Sequence, residues 1–194
     1  VRARHGFTPR DTVLLVTGGS LGSAALNDAL HTHHQALLQA FPHLHLWWQT
    51  GTRYYDALDR TLDAHPRLRL MEYIDRMDDA YAVADLALCR AGALTCSELL
   101  ATATPSVLVP SPNVVADHQT KNARSLRDAG AATLLPESDL NDHLLDTLRP
   151  LLSDTARRTT MARAARAHAK PDAAATIARR VLHLAAHASP ERAS

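Results

Sequence analysis

The run Thr12–Thr17, TVLLVT, passes without a break into GGSLGS and then into a helical pattern from about Ala24 to Ala40. The interior of that run, VLLV, has no polar residue on either alternating side. This suits a strand buried on both faces, which is the habit of parallel sheets rather than of antiparallel hairpins with a wet side. The unit then recurs. LHLWWQT (Leu44 to Thr50), RLRLMEY (Arg67 to Tyr73), DLALC (Asp85 to Cys89), SVLVP (Ser106 to Pro110) and AATLLP (Ala131 to Pro136) read as further strands. Helical patterns separate them at about Arg53 to Ala64, Met77 to Ala84, Leu94 to Ala103 and Gln119 to Ala129. Strands alternating with helices imply an α/β fold: a six-stranded parallel sheet with helices on both faces.

After Pro136 the pattern is helical to about Ala188, with breaks near Ser153 and Pro171 and a frayed end, SPERAS. We read residues 1–194 as one domain whose segment 154–188 is a helical tail. A length of 194 residues suits that reading. The chain begins with Val1 rather than Met, which is expected of a piece of something longer.

Composition removes several functions. Net charge is +1, so no pull toward nucleic acid or an anionic membrane is expected. There is no apolar run of the ~18 residues that a membrane span needs, and no signal-peptide pattern. Cys89 and Cys96 are not a CxxC pair and sit among apolar residues, as buried reduced thiols of a cytoplasmic protein do. His31, His33 and His34 lie close together with no Cys or carboxylate at ligand spacing, so no metal is expected there.

In a parallel sheet of this kind ligands bind beyond the carboxyl ends of the strands. Gly18 to Ser23, Gln49 to Thr52, Tyr73 to Met77, Arg90 to Thr95 and Ser111 to Gln119 are therefore the loops to inspect. Gly18 and Gly19 with Ser20 form a turn in which backbone amides can approach a phosphate, beside a helix N-terminus that favours negative charge. The spacing is neither GxGxxG nor a P-loop, and a tight turn without a ligand remains the alternative. Tyr73 is placed to stack on a base while backbone groups of Ile74 bond the base edge; the alternative is an ordinary core tyrosine. Beyond Arg90, the amides of Ala93, Leu94 and Thr95 make an anion cradle. Glu98, in the first turn of the same helix, suits the two hydroxyls of a ribose, unless it only complements the helix dipole. His118 and Gln119 open the next helix. Gln both donates and accepts, as reading sugar hydroxyls requires, whereas Asp117 has a bland reading as an N-cap. Together these signals describe a nucleotide-sugar site on one rim.

The segments VTGGSLGSAALNDAL, QTG, EYIDRMDDAYAVADLALCRAGALTCSELLA and PSPNVVADHQTKNARSLRDAGAA resemble the C-terminal domain of the MurG family over about Val1 to Asp139. Val1-Arg2 is similar to the end of the segment that joins that family's two domains. The resemblance implies the donor half of a GT-B glycosyltransferase with a Rossmann-like sheet. It also implies transfer of N-acetylglucosamine from UDP-N-acetylglucosamine to lipid I, giving lipid II. By the same resemblance Ser20 contacts the diphosphate, and Tyr73 and Ile74 meet uracil. Ala93, Leu94 and Thr95 hold phosphate, Glu98 holds the ribose, and Gln119 reads the N-acetylglucosamine hydroxyls. Some members carry two adjacent glutamines where this chain has His118-Gln119. No cofactor and no metal is implied. The acceptor site, the catalytic base and the membrane-associating patch belong to an N-terminal domain with no counterpart in this sequence. The whole protein is expected in the cytoplasm at the inner face of the membrane. The rival readings are the donor half of another GT-B transferase, a stand-alone binding subunit with a separate catalytic partner, and a dinucleotide-binding domain.

Overall fold

The computed structural model describes residues 1–187; the SPERAS end lies outside them. Six strands form one parallel sheet: β1 (Thr12–Thr17), β2 (Leu44–Gln49), β3 (Leu68–Met71), β4 (Leu86–Cys89), β5 (Ser106–Leu108) and β6 (Ala132–Leu134). Their order is β3-β2-β1-β4-β5-β6. The chain therefore winds outward from β1 to β3 and then returns to place β4 against the other side of β1. Loops leaving β1 and β4 diverge there, and that divergence opens a crevice at the strand ends.

Alternation along β1 splits its side chains between two cores. Leu14 and Val16 join a cluster with Leu26, Leu30 and Leu37 of α1 (Ala24–Ala40). Leu144, Leu148 and Leu151 of α6 (Leu140–Ser153) complete that layer. Val13 and Leu15 point the other way, toward α3 (Met77–Val83), α4 (Ala93–Thr102) and α5 (His118–Asp128). Two-sided burial is why the sequence of β1 lacks polar alternation; each fully buried Leu or Val contributes ~1.5–3 kcal/mol. The short helix α2 (Thr52–Thr61) buries none of its residues fully.

The carboxyl-terminal helices divide in character. α7 (Thr155–His168) is packed into the domain: Met161 belongs to one core cluster and Ala165 to the other. Its Arg158 is buried and donates to the carbonyls of Leu151 (2.6 Å) and Leu152 (2.9 Å), closing the end of α6. By contrast α8 (Ala173–His187) is exposed along its whole length, including Ile177, Val181, Leu182 and Leu184. The segment beginning at residue 154 is thus half core and half exposed helix.

Cys89 and Cys96 are free and buried. Burial pushes both thiols up, that of Cys96 to about 11, so neither is a thiolate at neutral pH. His33 bonds the carbonyl of Asn141 on α6 and His34 that of His31 on its own helix, which gives both structural partners.

Candidate functional site

The turn after β1 is compressed onto its own helix. A Cβ on Gly18 would lie 2.4 Å from the amide nitrogen of Ser23, and one on Gly22 would lie 1.9 Å from the carbonyl oxygen of Thr50. Both positions therefore require glycine, the second because two loops meet backbone to backbone. The Gly22 amide donates to the Gly19 carbonyl (2.9 Å). Ser23 is the N-cap of α1, its hydroxyl accepting a long bond (3.4 Å) from Leu26. Ser20 is exposed at the tip of the turn.

The β4–α4 loop has no capping side chain, because Gly92 stands at the N-cap. Among the described residues nothing accepts from the amides of Ala93, Leu94 and Thr95. These three N–H groups and the helix dipole behind them form the anion cradle that the sequence suggests. Leu94 is 73% exposed, so its side chain plays no core part. Glu98 is the sixth residue of α4, which places it in the second turn and not the first. At that depth the dipole explanation for Glu98 loses its force, because the effect is confined to the first turn. One carboxylate oxygen of Glu98 instead accepts from the hydroxyl of Tyr81 on α3 (3.0 Å). Burial first, and then the neighbouring Cys89 and Glu98, push the Tyr81 phenol well above its ordinary value, so it remains a donor. No cation pairs with Glu98 among the described residues.

Three of the expected site residues already have partners within the fold. Gln119 does not offer a whole amide to a sugar: its Oε1 already accepts from the backbone amides of Ser111 (2.9 Å) and Ala91 (3.3 Å). That leaves its Nε2 as a donor. The Ile74 amide is not free for a base either, since it donates to Oε1 of Gln49 (3.1 Å). His118 folds back to the carbonyl of Val115 (2.8 Å). It stabilises a 3-10 turn, Val115–Asp117, in which Ala116 (φ 55°) and Asp117 (φ 52°) are left-handed. Asp117 occupies the N-cap of α5 but its side chain caps nothing. Tyr73 is 53% exposed, so it is not a core tyrosine.

One cleft of about 630 Å³ gathers Gly18, Gly19, Ser20, Arg90 and Gln119. Ser111, Asn113, Tyr54, Asp28 and Glu137 complete its wall. Arg90 is no free counter-ion here: its guanidinium pairs with Glu137 and donates to the Val109 carbonyl (3.2 Å). Positive potential in this cleft comes instead from the N-terminus of α1, whose Ser23, Ala24 and Ala25 line it. Tyr73, Ile74, Ala93, Leu94, Thr95, Glu98 and His118 do not line this cleft. Sequence reasoning marked Gln49 only as the start of a loop to inspect and gave no role to Tyr81 or Glu137. Only the polarity of Gln49 at the end of an apolar strand signals it in advance.

The glycosyltransferase family 28 C-terminal domain matches residues 13–177. A UDP-N-acetylglucosamine–N-acetylmuramyl-(pentapeptide) pyrophosphoryl-undecaprenol N-acetylglucosamine transferase of Salinibacter ruber is 64% identical over 185 residues, 94% of this chain and 50% of that protein. The transferase of the same name from Porphyromonas gingivalis strain W83 is 39% identical, over 94% of this chain and 48% of its own length. The crystal structure of Acinetobacter baumannii MurG superposes with a TM-score of 0.75 at 34% identity, over 89% of this chain and 52% of that one. The chain thus spans about half the length of the curated relatives it matches. With a parallel sheet crossing over between β1 and β4, and a family model covering nearly all of it, the chain belongs to the glycosyltransferase family 28 C-terminal domain family.

Proposed function

We propose that this chain is the donor-binding domain of an N-acetylglucosaminyltransferase. Its donor is UDP-N-acetylglucosamine, and its acceptor is the undecaprenyl-pyrophosphoryl muramyl pentapeptide (lipid I) that the relatives' name describes. The observation that carries this reading is Glu98. Its carboxylate is anchored on one side by Tyr81 and paired with no cation among the described residues. It stands on the helix that also presents three unpartnered amides. A diol beside a diphosphate, as in a nucleoside diphosphate, supplies both partners: two hydroxyl donors for the carboxylate and anionic oxygens for the amides. The Tyr73 ring then serves the base, and the Gln119 Nε2 and the cleft beneath Ser20 serve the diphosphate and sugar.

In the reaction an acceptor hydroxyl gives its proton to a base and attacks the anomeric carbon, the bond from that carbon to the β-phosphate oxygen breaks, and UDP leaves with that electron pair. The α1 and α4 N-termini offset the charge gathering on UDP, so the proposed transfer takes no metal. We assign the acceptor site and the base to the half of the relatives that this chain does not cover. The site of action that fits this acceptor is the cytoplasmic face of the membrane; no described helix is long and apolar enough to cross one.

Titration calorimetry tests the reading. UDP and UDP-N-acetylglucosamine are expected to bind the 194-residue chain, more tightly than ADP or GDP, and equally well with EDTA present. With a lipid I analogue the chain alone should give no lipid II, and adding the other half of a relative should restore transfer. Equal affinity for ADP favours a generic dinucleotide site. Transfer by the chain alone places a base within these residues and removes our division of labour.

A further inference from the structure

Gln49 is the last residue of β2, and its side chain is buried (3% exposed). Its Nε2 donates to the Gly19 carbonyl (2.9 Å), and its Oε1 accepts from the Ile74 amide (3.1 Å). One amide thus joins the turn after β1 to the loop after β3. The topology makes this possible: β2 lies between β1 and β3, so its end is flanked by both loops. The backbone beyond it is held as firmly. The Thr50 amide donates to Met71 (2.9 Å), the Gly51 amide to Glu72 (3.1 Å), and Asn27 donates to the Thr50 carbonyl (3.0 Å).

We propose that Gln49 is a positioning residue that fixes the phosphate turn and the base loop in one register, so that diphosphate and nucleobase are read together. This rests on the donor reading above. The chemistry is selective, because the site needs one donor and one acceptor on the same short side chain. A carboxylate supplies no donor, and an apolar side chain supplies neither partner. Ile74 is itself buried (6% exposed), so losing the acceptor leaves a buried N–H without a partner. Gln49 touches no ligand in this scheme; it acts through Gly19 and Ile74.

The test compares UDP, UMP and ADP on the wild-type chain, Gln49→Glu and Gln49→Met by calorimetry at pH 8.5 and pH 6. Gln49→Glu keeps the acceptor for Ile74 and puts a carboxylate against the Gly19 carbonyl. It should lower the UDP:UMP affinity ratio about fivefold, the equivalent of one ordinary hydrogen bond, with the UDP:ADP preference retained. At pH 6 the buried carboxylate of Gln49→Glu regains a proton and with it the donor, so the ratio should recover. Gln49→Met should lower both ratios. Hydrogen exchange of the Ile74 amide gives a ligand-free readout: protected in the wild type and in Gln49→Glu, exposed in Gln49→Met. Equal losses for all three nucleotides, or unmoved ratios with normal wild-type binding, would overturn the assignment alone. A wild-type chain that binds none of them overturns the donor reading and this assignment with it.

Discussion

Replacing Glu98 by alanine should weaken UDP binding at least tenfold and abolish the preference for UDP over 2′-deoxy-UDP. A hydrogen bond to a charged group contributes ~1.5–3 kcal/mol, and a tenfold change in affinity corresponds to ~1.4 kcal/mol, so losing even one of two ribose bonds suffices. The fold should survive, because Glu98 is only half-buried on a helix where alanine is the better helix former. One complication is built into the site. Tyr81 is 6% exposed, and Glu98→Ala leaves its hydroxyl without the acceptor it now has at 3.0 Å. The double variant Glu98→Ala/Tyr81→Phe removes both partners and that penalty with them. If the double variant binds UDP as weakly as the single one, the loss belongs to the ribose and not to a disturbed α3–α4 contact. Unchanged UDP affinity in both variants would remove Glu98 from the site.

How far the sequence reaches is visible in particular residues. β1, β4 and β5 could be read because each is buried on two faces, and two-sided burial writes itself as an unbroken apolar run such as VLLV, whereas the edge strand β3 leaves Arg69 exposed and shows only alternating apolar residues. The rim of the site was legible for a related reason: ligand loops follow strand ends, and strand ends are readable. What the sequence does not carry is anything decided by a partner elsewhere in the fold. Gln119 reads as a free amide, yet its oxygen is taken by Ala91 and Ser111, on two other loops. The Ile74 amide reads as available until β2 delivers Gln49 beside it. The left-handed Ala116 and Asp117 carry no glycine to announce them. α7 reads as a tail because its buried side is thin, with Arg158, Met161 and Ala165 as its only buried residues, and small residues such as Ala165 pack closely without leaving a strong apolar stripe. For Gln119, Ile74 and α7 a tertiary contact supplied the meaning, whereas Ala116 and Asp117 depart from local propensity.

The same limit applies within GGSLGS, where three glycines look alike and are expected to respond very differently to substitution. Gly19 has φ 85° and Gly22 φ 75°, so an alanine at either is strained by about 1–2 kcal/mol. At Gly19 nothing lies within 4 Å of the added carbon, and that strain is the whole effect. At Gly22 the carbon would stand 1.9 Å from the Thr50 carbonyl oxygen, with Tyr54 at 3.0 Å. Thr50 cannot withdraw freely. It is fully buried, its amide is bonded to Met71, and its carbonyl accepts from Asn27, which in turn accepts from the Trp48 indole (2.9 Å). Gly22→Ala must therefore separate the β1 and β2 loops and stretch that buried chain of hydrogen bonds. A loss of at least about 3 kcal/mol is expected, from the strain together with one disrupted buried bond. For a chain of this size that corresponds to a fall in melting temperature of roughly 6–12 °C. Gly19→Ala should fall by no more than about half as much. UDP binding should fail in Gly22→Ala at temperatures where the domain is still folded, since Gly19 and Gln49 are displaced with the turn. Urea denaturation of the two variants beside the wild type decides the matter. Equal destabilisation would mean that the loops are not in contact as described, and the clamp at Thr50 would have to be abandoned.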